Sequence, residues 1–144
     1  MKDRAVKPRP YREAIVAFGL LFSSIYYSTA TVSAYAEEQR AQLVQYTPST
    51  NLKALAANGK TVVFFFATWC PNCILTLTEL KEKWNEISPD ITLVIADYDQ
   101  ETALKAEYGV TYQDTFVLLD KNAKSARLWN AGGVVGLNQN TRPQ

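Results

Sequence analysis

TVVFFFATWCPNC, from Thr61 to Cys73, decides how this chain folds. Its first seven residues, Thr61 to Ala67, form an unbroken run of β-branched and aromatic side chains. Such a run is too apolar to alternate in and out, which predicts a central strand covered on both faces. Its end, Trp69-Cys70-Pro71-Asn72-Cys73, opens the next element. Pro71 suits a first helical turn, where its missing N–H costs nothing. A helix is predicted over Pro71 to Ile87, because Leu77, Leu80, Trp84 and Ile87 recur at three- and four-residue steps while Glu79, Lys81, Glu82, Lys83 and Glu86 take the other positions.

That placement makes Cys70 the N-cap residue. Its sulfur then faces unpaired backbone N–H groups and the positive end of the helix dipole, both of which favour a thiolate. The expectation is a Cys70 pKa below that of a free thiol, which makes it the attacking sulfur. Cys73 follows one turn later on the same face. It is expected to be more buried, less reactive and within reach of Cys70. Three other readings stay open on the motif alone. The pair could be a structural disulfide, though so short a loop constrains the unfolded chain little; it could be half of a metal site shared between two chains; or it could be two inert core thiols.

Working outward, Ile91 to Ala96 (ITLVIA) predicts a second buried strand, beyond a break at Pro89-Asp90. Glu101 to Tyr108 predicts a short helix stopped by Gly109. Thr115 to Leu119 and Ala126 to Trp129 predict two strands joined by a turn at Asp120 to Ala123. Upstream, a short helix over Leu52, Leu55 and Ala56 is expected, capped by Ser49 or Thr50 and ended by Asn58-Gly59. Leu43 to Tyr46 is a candidate edge strand. The fold class is therefore α/β: a small mixed sheet flanked by helices, with parallel neighbours where helices intervene and a final antiparallel hairpin.

Net charge is +1 and gives no sign of nucleic-acid binding. It is unevenly spread. Lys2, Arg4, Lys7, Arg9 and Arg12 face only Asp3 and Glu13 in the first thirteen residues. The 23 residues from Ala14 to Ala36 then carry no charge. This is the layout of a signal peptide or signal anchor whose basic end stays in the cytoplasm. The length suffices for an N-terminal hydrophobic helix across a bilayer, with Tyr26, Tyr27 and Tyr35 at the outer interface. Ala34-Tyr35-Ala36 equally has the small-x-small form of a cleavage site, and a buried helix of the soluble domain is a further reading. Either targeting form puts the remaining chain outside the cytoplasm. The expected organisation is a signal peptide or anchor at 1–36, a connector at 37–50, a globular domain at 51–137 and a loose tail at 138–144.

There are two cysteines and no histidines, so cysteine chemistry must run on the thiols without the usual imidazole base. Two cysteines alone cannot complete a zinc site.

With strand, Cys-x-x-Cys and helix in this order, the sequence resembles the thioredoxin superfamily from about Leu43 to Trp129, most sharply over Val62 to Cys73. Tyr108-Gly109-Val110 followed by Thr115-Phe116-Val117 is similar to the family's approach to its fourth strand. The N-terminal segment adds a likeness to membrane-tethered, extracytoplasmic members. The resemblance implies a thioredoxin-like fold and a thiol–disulfide oxidoreductase that exchanges electrons with protein thiols or disulfides. It implies no cofactor, association with the membrane through the N-terminal segment, and a membrane redox partner if the protein is an exported reductant. Cys70 would be the nucleophile and Cys73 the resolving thiol. Trp69, Pro71, Asp114 and Thr115 would form the substrate-binding surround.

Three departures stand out. The family's cis-proline position is Asp114 here. A cis bond before a non-proline residue costs about 2.5–4 kcal/mol, so a trans or altered loop is expected. The Asp114 carboxylate could oppose thiolate formation, accept a proton, or join the two sulfurs as a metal ligand. In that last alternative the chain is a catalytically weak binding or metal-handling module rather than an enzyme. An exposed backbone edge beside Cys70 would favour a substrate groove, and a carboxylate aimed at both sulfurs would favour a metal. If the missing proline limits substrate docking, Asp114→Pro should raise activity. Second, Phe64 replaces the family's buried aspartate, removing its proton route to the resolving cysteine. Third, the last helix is expected to be absent or reduced to Val134 to Leu137. That would leave one sheet face thinly covered and open to a partner or a membrane.

Overall fold

The computed structural model describes residues 40–142. The targeting segment expected at 1–36 lies outside the described residues. Among the described residues no helix is long and apolar enough to cross a membrane.

Five strands form one sheet: β1 (Gln42–Gln45), β2 (Lys60–Phe66), β3 (Ile91–Asp97), β4 (Thr115–Leu119) and β5 (Ser125–Asn130), in the order β1-β3-β2-β4-β5. β3 runs parallel to both β1 and β2, while β4 is antiparallel to β2 and to β5. The mixed sheet, the central place of the Thr61 run and the terminal hairpin are as the residue pattern predicted.

Four helices cover the sheet: α1 (Leu52–Asn58), α2 (Pro71–Glu82), α3 (Thr102–Tyr108) and α4 (Gly133–Asn140). The alternating residues of β2 divide the core between two layers. Val62 and Phe64 pack with Leu80 of α2 and with Val134 and Leu137 of α4. Val63 and Phe65 pack with Leu52 and Ala56 of α1 and with Leu104 and Tyr108 of α3. Every one of these side chains is buried.

On the α2–α4 side three register partners stack. The Phe64 and Phe116 rings lie 4.3 Å apart at 13°, and the Phe116 and Trp129 rings 5.4 Å apart at 6°. Offset aromatic stacking adds to the apolar area these rings bury.

Four expectations change. The α1 cap is Asn51, whose Oδ1 accepts from the Ala54 N–H at 2.9 Å. Thr50 instead closes the preceding turn, its Oγ1 accepting from the Thr47 N–H. The long helix ends at Glu82 rather than Ile87, and Trp84–Glu86 tightens into a 3₁₀ turn. The Trp84 indole there donates to the Ala41 carbonyl, and Ile87 still reaches the core. The last helix is present and runs three residues beyond Leu137. Asn138, expected in a loose tail, accepts from the Ser88 N–H and donates to the Glu86 carbonyl, tying α4 to the 3₁₀ turn that follows α2.

The thinly covered face expected at the C-terminus is accordingly closed by α4. An open groove of about 320 Å³ lies elsewhere, beside β1, lined by Leu43, Phe66, Leu77 and Ile95 with Lys81 and Asp97.

Gly133 opens α4 with φ +52°, a left-handed backbone that favours glycine.

Candidate active site

The turn from β2 into α2 places both thiols at the C-terminal end of the central strand. Cys70 is the N-cap of α2, and its Sγ accepts from the Cys73 N–H at 3.1 Å. That bond satisfies one orphan donor of the first turn and puts the sulfur where the helix end favours negative charge. Pro71 stands at the first helical position, as expected, and is exposed. Both cysteines are free thiols.

Cys73 is fully buried and Cys70 nearly so, packed among Ala67, Phe66 and Tyr98. The sequence led us to expect Cys73 to be the more buried of the two, but not that Cys70 would be so well covered. Burial is the main reason the Cys73 thiol is pushed up to about 12; Cys70 and, to a lesser degree, the Asp114 charge push it the same way.

Trp69 is 58% exposed yet held, because its indole N–H donates to Asp99 Oδ2 at 2.7 Å. Asp99 is itself placed by an Asp97 carboxylate that accepts from the Asp99 and Gln100 N–H groups. The exposed apolar side chains of Trp69, Ile74 and Leu75 therefore flank the motif in sequence.

Asp114 is 3% exposed and has φ +60°. The peptide bond before it is trans, like every other described bond. Its N–H donates to the Phe65 carbonyl, extending the β2–β4 ladder by one bond. Its Oδ1 has no partner among the described residues. Burial raises the carboxyl above its ordinary pKa and outweighs the opposing influence of the Thr76 side chain.

Thr115 is buried, and its hydroxyl donates to the Tyr112 carbonyl. It braces the loop and presents no surface to a substrate. The loop is closed on itself throughout. The Thr111 carbonyl accepts from the Tyr98 hydroxyl, the Gln113 carbonyl from Asn130 Nδ2, and the Asp114 carbonyl from the Ala131 N–H and Asn130 Nδ2.

The structure thus brings Cys70 and Cys73 together at the head of α2, with Trp69 and Pro71 on the outer rim, and buries Asp114 and Thr115 in the loop leading into β4. Sequence reasoning missed Thr76, Asp99 and Asn130. Only Thr76 left a usable signal, since three residues after Cys73 it must share that helix face. Among the described residues no three His, Cys, Asp or Glu side chains converge to hold a metal ion, so the metal-handling alternative lacks a three-ligand site.

Comparison with known proteins agrees with this geometry. The thioredoxin family model matches residues 42–139, from β1 into α4. Mitochondrial thioredoxin-3 of Saccharomyces cerevisiae is 33% identical over 97 residues, which cover 67% of this chain and 69% of that protein. Thioredoxin of Mycoplasma pneumoniae is 31% identical over 72 residues, covering 50% of this chain and 70% of that protein. The crystal structure of oxidised mitochondrial thioredoxin 3 from S. cerevisiae superposes with a TM-score of 0.56 at 26% identity, over 68% of this chain and 92% of that one. With the family's sheet order and a Cys-x-x-Cys opening α2, the chain belongs to the thioredoxin family and is a thiol–disulfide oxidoreductase.

Proposed function

We propose that this chain works outside the cytoplasm on the disulfides or dithiols of other proteins, through Cys70 and Cys73. The observation that carries the assignment of roles is the 3.1 Å bond from the Cys73 N–H to Cys70 Sγ. A sulfur held this way has its developing charge met by a backbone donor and by the helix end, whereas Cys73 lies deeper and holds its proton tightly. Cys70 therefore attacks a substrate disulfide and forms the mixed disulfide. Cys73 then attacks Cys70 Sγ, and the substrate leaves as a thiol. Run in reverse, the same pair oxidises a dithiol. The chemistry needs no cofactor.

Trp69, fixed by Asp99, forms an apolar shelf beside the pair, and Pro71 starts the helix without an unpaired N–H. The location rests on the basic stretch ahead of the uncharged residues 14–36. In this reading the segment tethers the protein to the membrane or directs its export, and a membrane partner supplies electrons if it acts as a reductant.

Two variants test the roles. Cys70→Ser is expected to abolish turnover of a protein disulfide, and Cys73→Ser to accumulate mixed disulfides visible on a non-reducing gel. Full activity in both would overturn the mechanism. Direction follows from equilibrating the pair in glutathione or dithiothreitol buffers: a potential near −270 mV, roughly that of thioredoxin, marks a reductant, and one of about −120 mV an oxidant. Fractionation of expressing bacteria checks the location; a domain found only in the cytosol would sink it.

A further inference from the structure

We propose that the Tyr98 ring is a cover over the cysteine pair, and that access to Cys70 is set by how tightly this ring is held. The inference rests on the reading above that Cys70 is the attacking sulfur, and adds the step that lets a client reach it.

A sulfur that attacks the disulfide of another protein must be approached in line with the bond it breaks. Cys70 is only 3% exposed. The helix end that favours its thiolate does not uncover it, so a neighbouring group has to yield before the attack.

Two side chains that are only partly buried pack against the cluster of Ala67, Cys70 and Cys73: Phe66 and Tyr98. Phe66 is fixed. It is the last residue of β2, in register with Asp97 of β3, and its ring packs into the α2–α4 core layer, edge-on to Phe64 at 6.2 Å. Tyr98 is held differently. It lies one residue past β3, where its main-chain N–H donates to the Phe66 carbonyl at 2.9 Å. Its ring rests on the thiol cluster and on the margin of the α1–α3 layer. Two light restraints hold that ring in place. The hydroxyl donates to the Thr111 carbonyl at 2.9 Å, an exposed bond to the loop before β4. Lys105 Nζ, from α3, stands 3.7 Å from the ring centroid. A hydrogen bond that water can replace and a cation over an aromatic face each contribute modestly, so the covered form is favoured without being locked.

The same turn holds the partner of Trp69. The Asp97 carboxylate accepts from the Asp99 and Gln100 N–H groups, and Asp99 accepts from the Trp69 indole. One short turn, Asp97 to Gln100, thus positions both the exposed shelf and the cover. In the open form the Tyr98 hydroxyl leaves Thr111 for water and the ring moves off the cluster. Attack proceeds from this minor population, which scales the rate at which a client is engaged. A bulky disulfide needs the opening more than a small one does. Tyr98 is therefore a positioning residue that discriminates by size.

Two alkylating reagents of one chemistry test this on the reduced full chain: iodoacetamide, and an iodoacetamide carrying fluorescein. Peptide mapping identifies the labelled cysteine. Tyr98→Phe keeps the ring and removes the hydroxyl, and Lys105→Met removes the cation. Each is expected to speed labelling of Cys70 by the bulky reagent about two- to fivefold, the factor one such contact supplies. The small reagent should gain less, and Tyr98→Ala should exceed both variants with the bulky one. Unchanged rates in all three variants would overturn the proposal. An equal gain for both reagents would do so too, because it marks a more reactive sulfur and not an uncovered one. New labelling of Cys73 in the variants would mark a loosened fold and count equally against the cover. Label on Cys73 in place of Cys70 in the unaltered chain would instead overturn the assignment of roles beneath the inference.

Discussion

Asp114 combines a left-handed backbone with a buried carboxyl, and each has a measurable effect. The folded-state pKa is raised, so the native protein holds this proton at pH values where the unfolded chain has released it. Stability from this group is complete below the unfolded value, about 4, and is lost as pH rises through the folded one. Urea midpoints measured from pH 4 to 8 should therefore fall more for wild type than for Asp114→Asn, which should be the more stable protein at pH 7. Identical slopes would show that the carboxyl is not destabilised by folding. The backbone gives the opposite result for proline. Asp114→Pro would remove the N–H that bonds the Phe65 carbonyl and force φ from +60° toward about −65°. The sequence made a gain in activity conditional on the missing proline limiting docking; with this backbone, we expect a destabilisation of more than about 1 kcal/mol by denaturant unfolding. The oddity of an aspartate here was legible from the chain. Its burial was not, because that depends on the loop before β4 folding back on the end of β2, and no local pattern encodes such a meeting.

Among the elements, β2 and β3 were readable because the runs TVVFFFA and ITLVIA, rich in β-branched and large apolar residues, leave little choice but a strand with both faces covered. The chemistry at the start of α2 was equally plain from Cys70-Pro71. The helix ends were harder. Three successive residues, Ser49, Thr50 and Asn51, are all good caps, and a composition pattern does not say which one the first helical turn starts behind; Asn51→Ala should cost about 1 kcal/mol in thermal or urea unfolding. α4 was underread because Val134 and Leu137 are its only buried large apolar residues. It is held from outside, by Asn138 against Ser88 and Glu86. The aromatic stack spans β2, β4 and β5, and was hidden because register across three strands is needed to see it. Phe116→Ala should lower stability by about 3–5 kcal/mol, more than a lone exposed ring could account for.

At the scale of the molecule, residues 40–142 hold a complete two-sided core, one layer under α2 and α4 and the other under α1 and α3. Cys73 links this body to its redox state. In the reduced protein the native thiol keeps its proton up to about 12, while the unfolded thiol releases it near its ordinary value of 9.0. The raised folded-state value means that this contribution is present below pH 9 and lost as pH climbs toward 12. The oxidised protein has no such thiol. Melting temperatures of the two forms should therefore diverge above about pH 9, with the reduced form falling faster.

The self-closed loop from Thr111 to Asp114 has a consequence for selectivity. Four successive carbonyls already have donors from within the fold, supplied by Tyr98, Thr115, Asn130 and Ala131. A visiting polypeptide would have to share these acceptors with the fold's own donors, which disfavours pairing along this loop by strand addition.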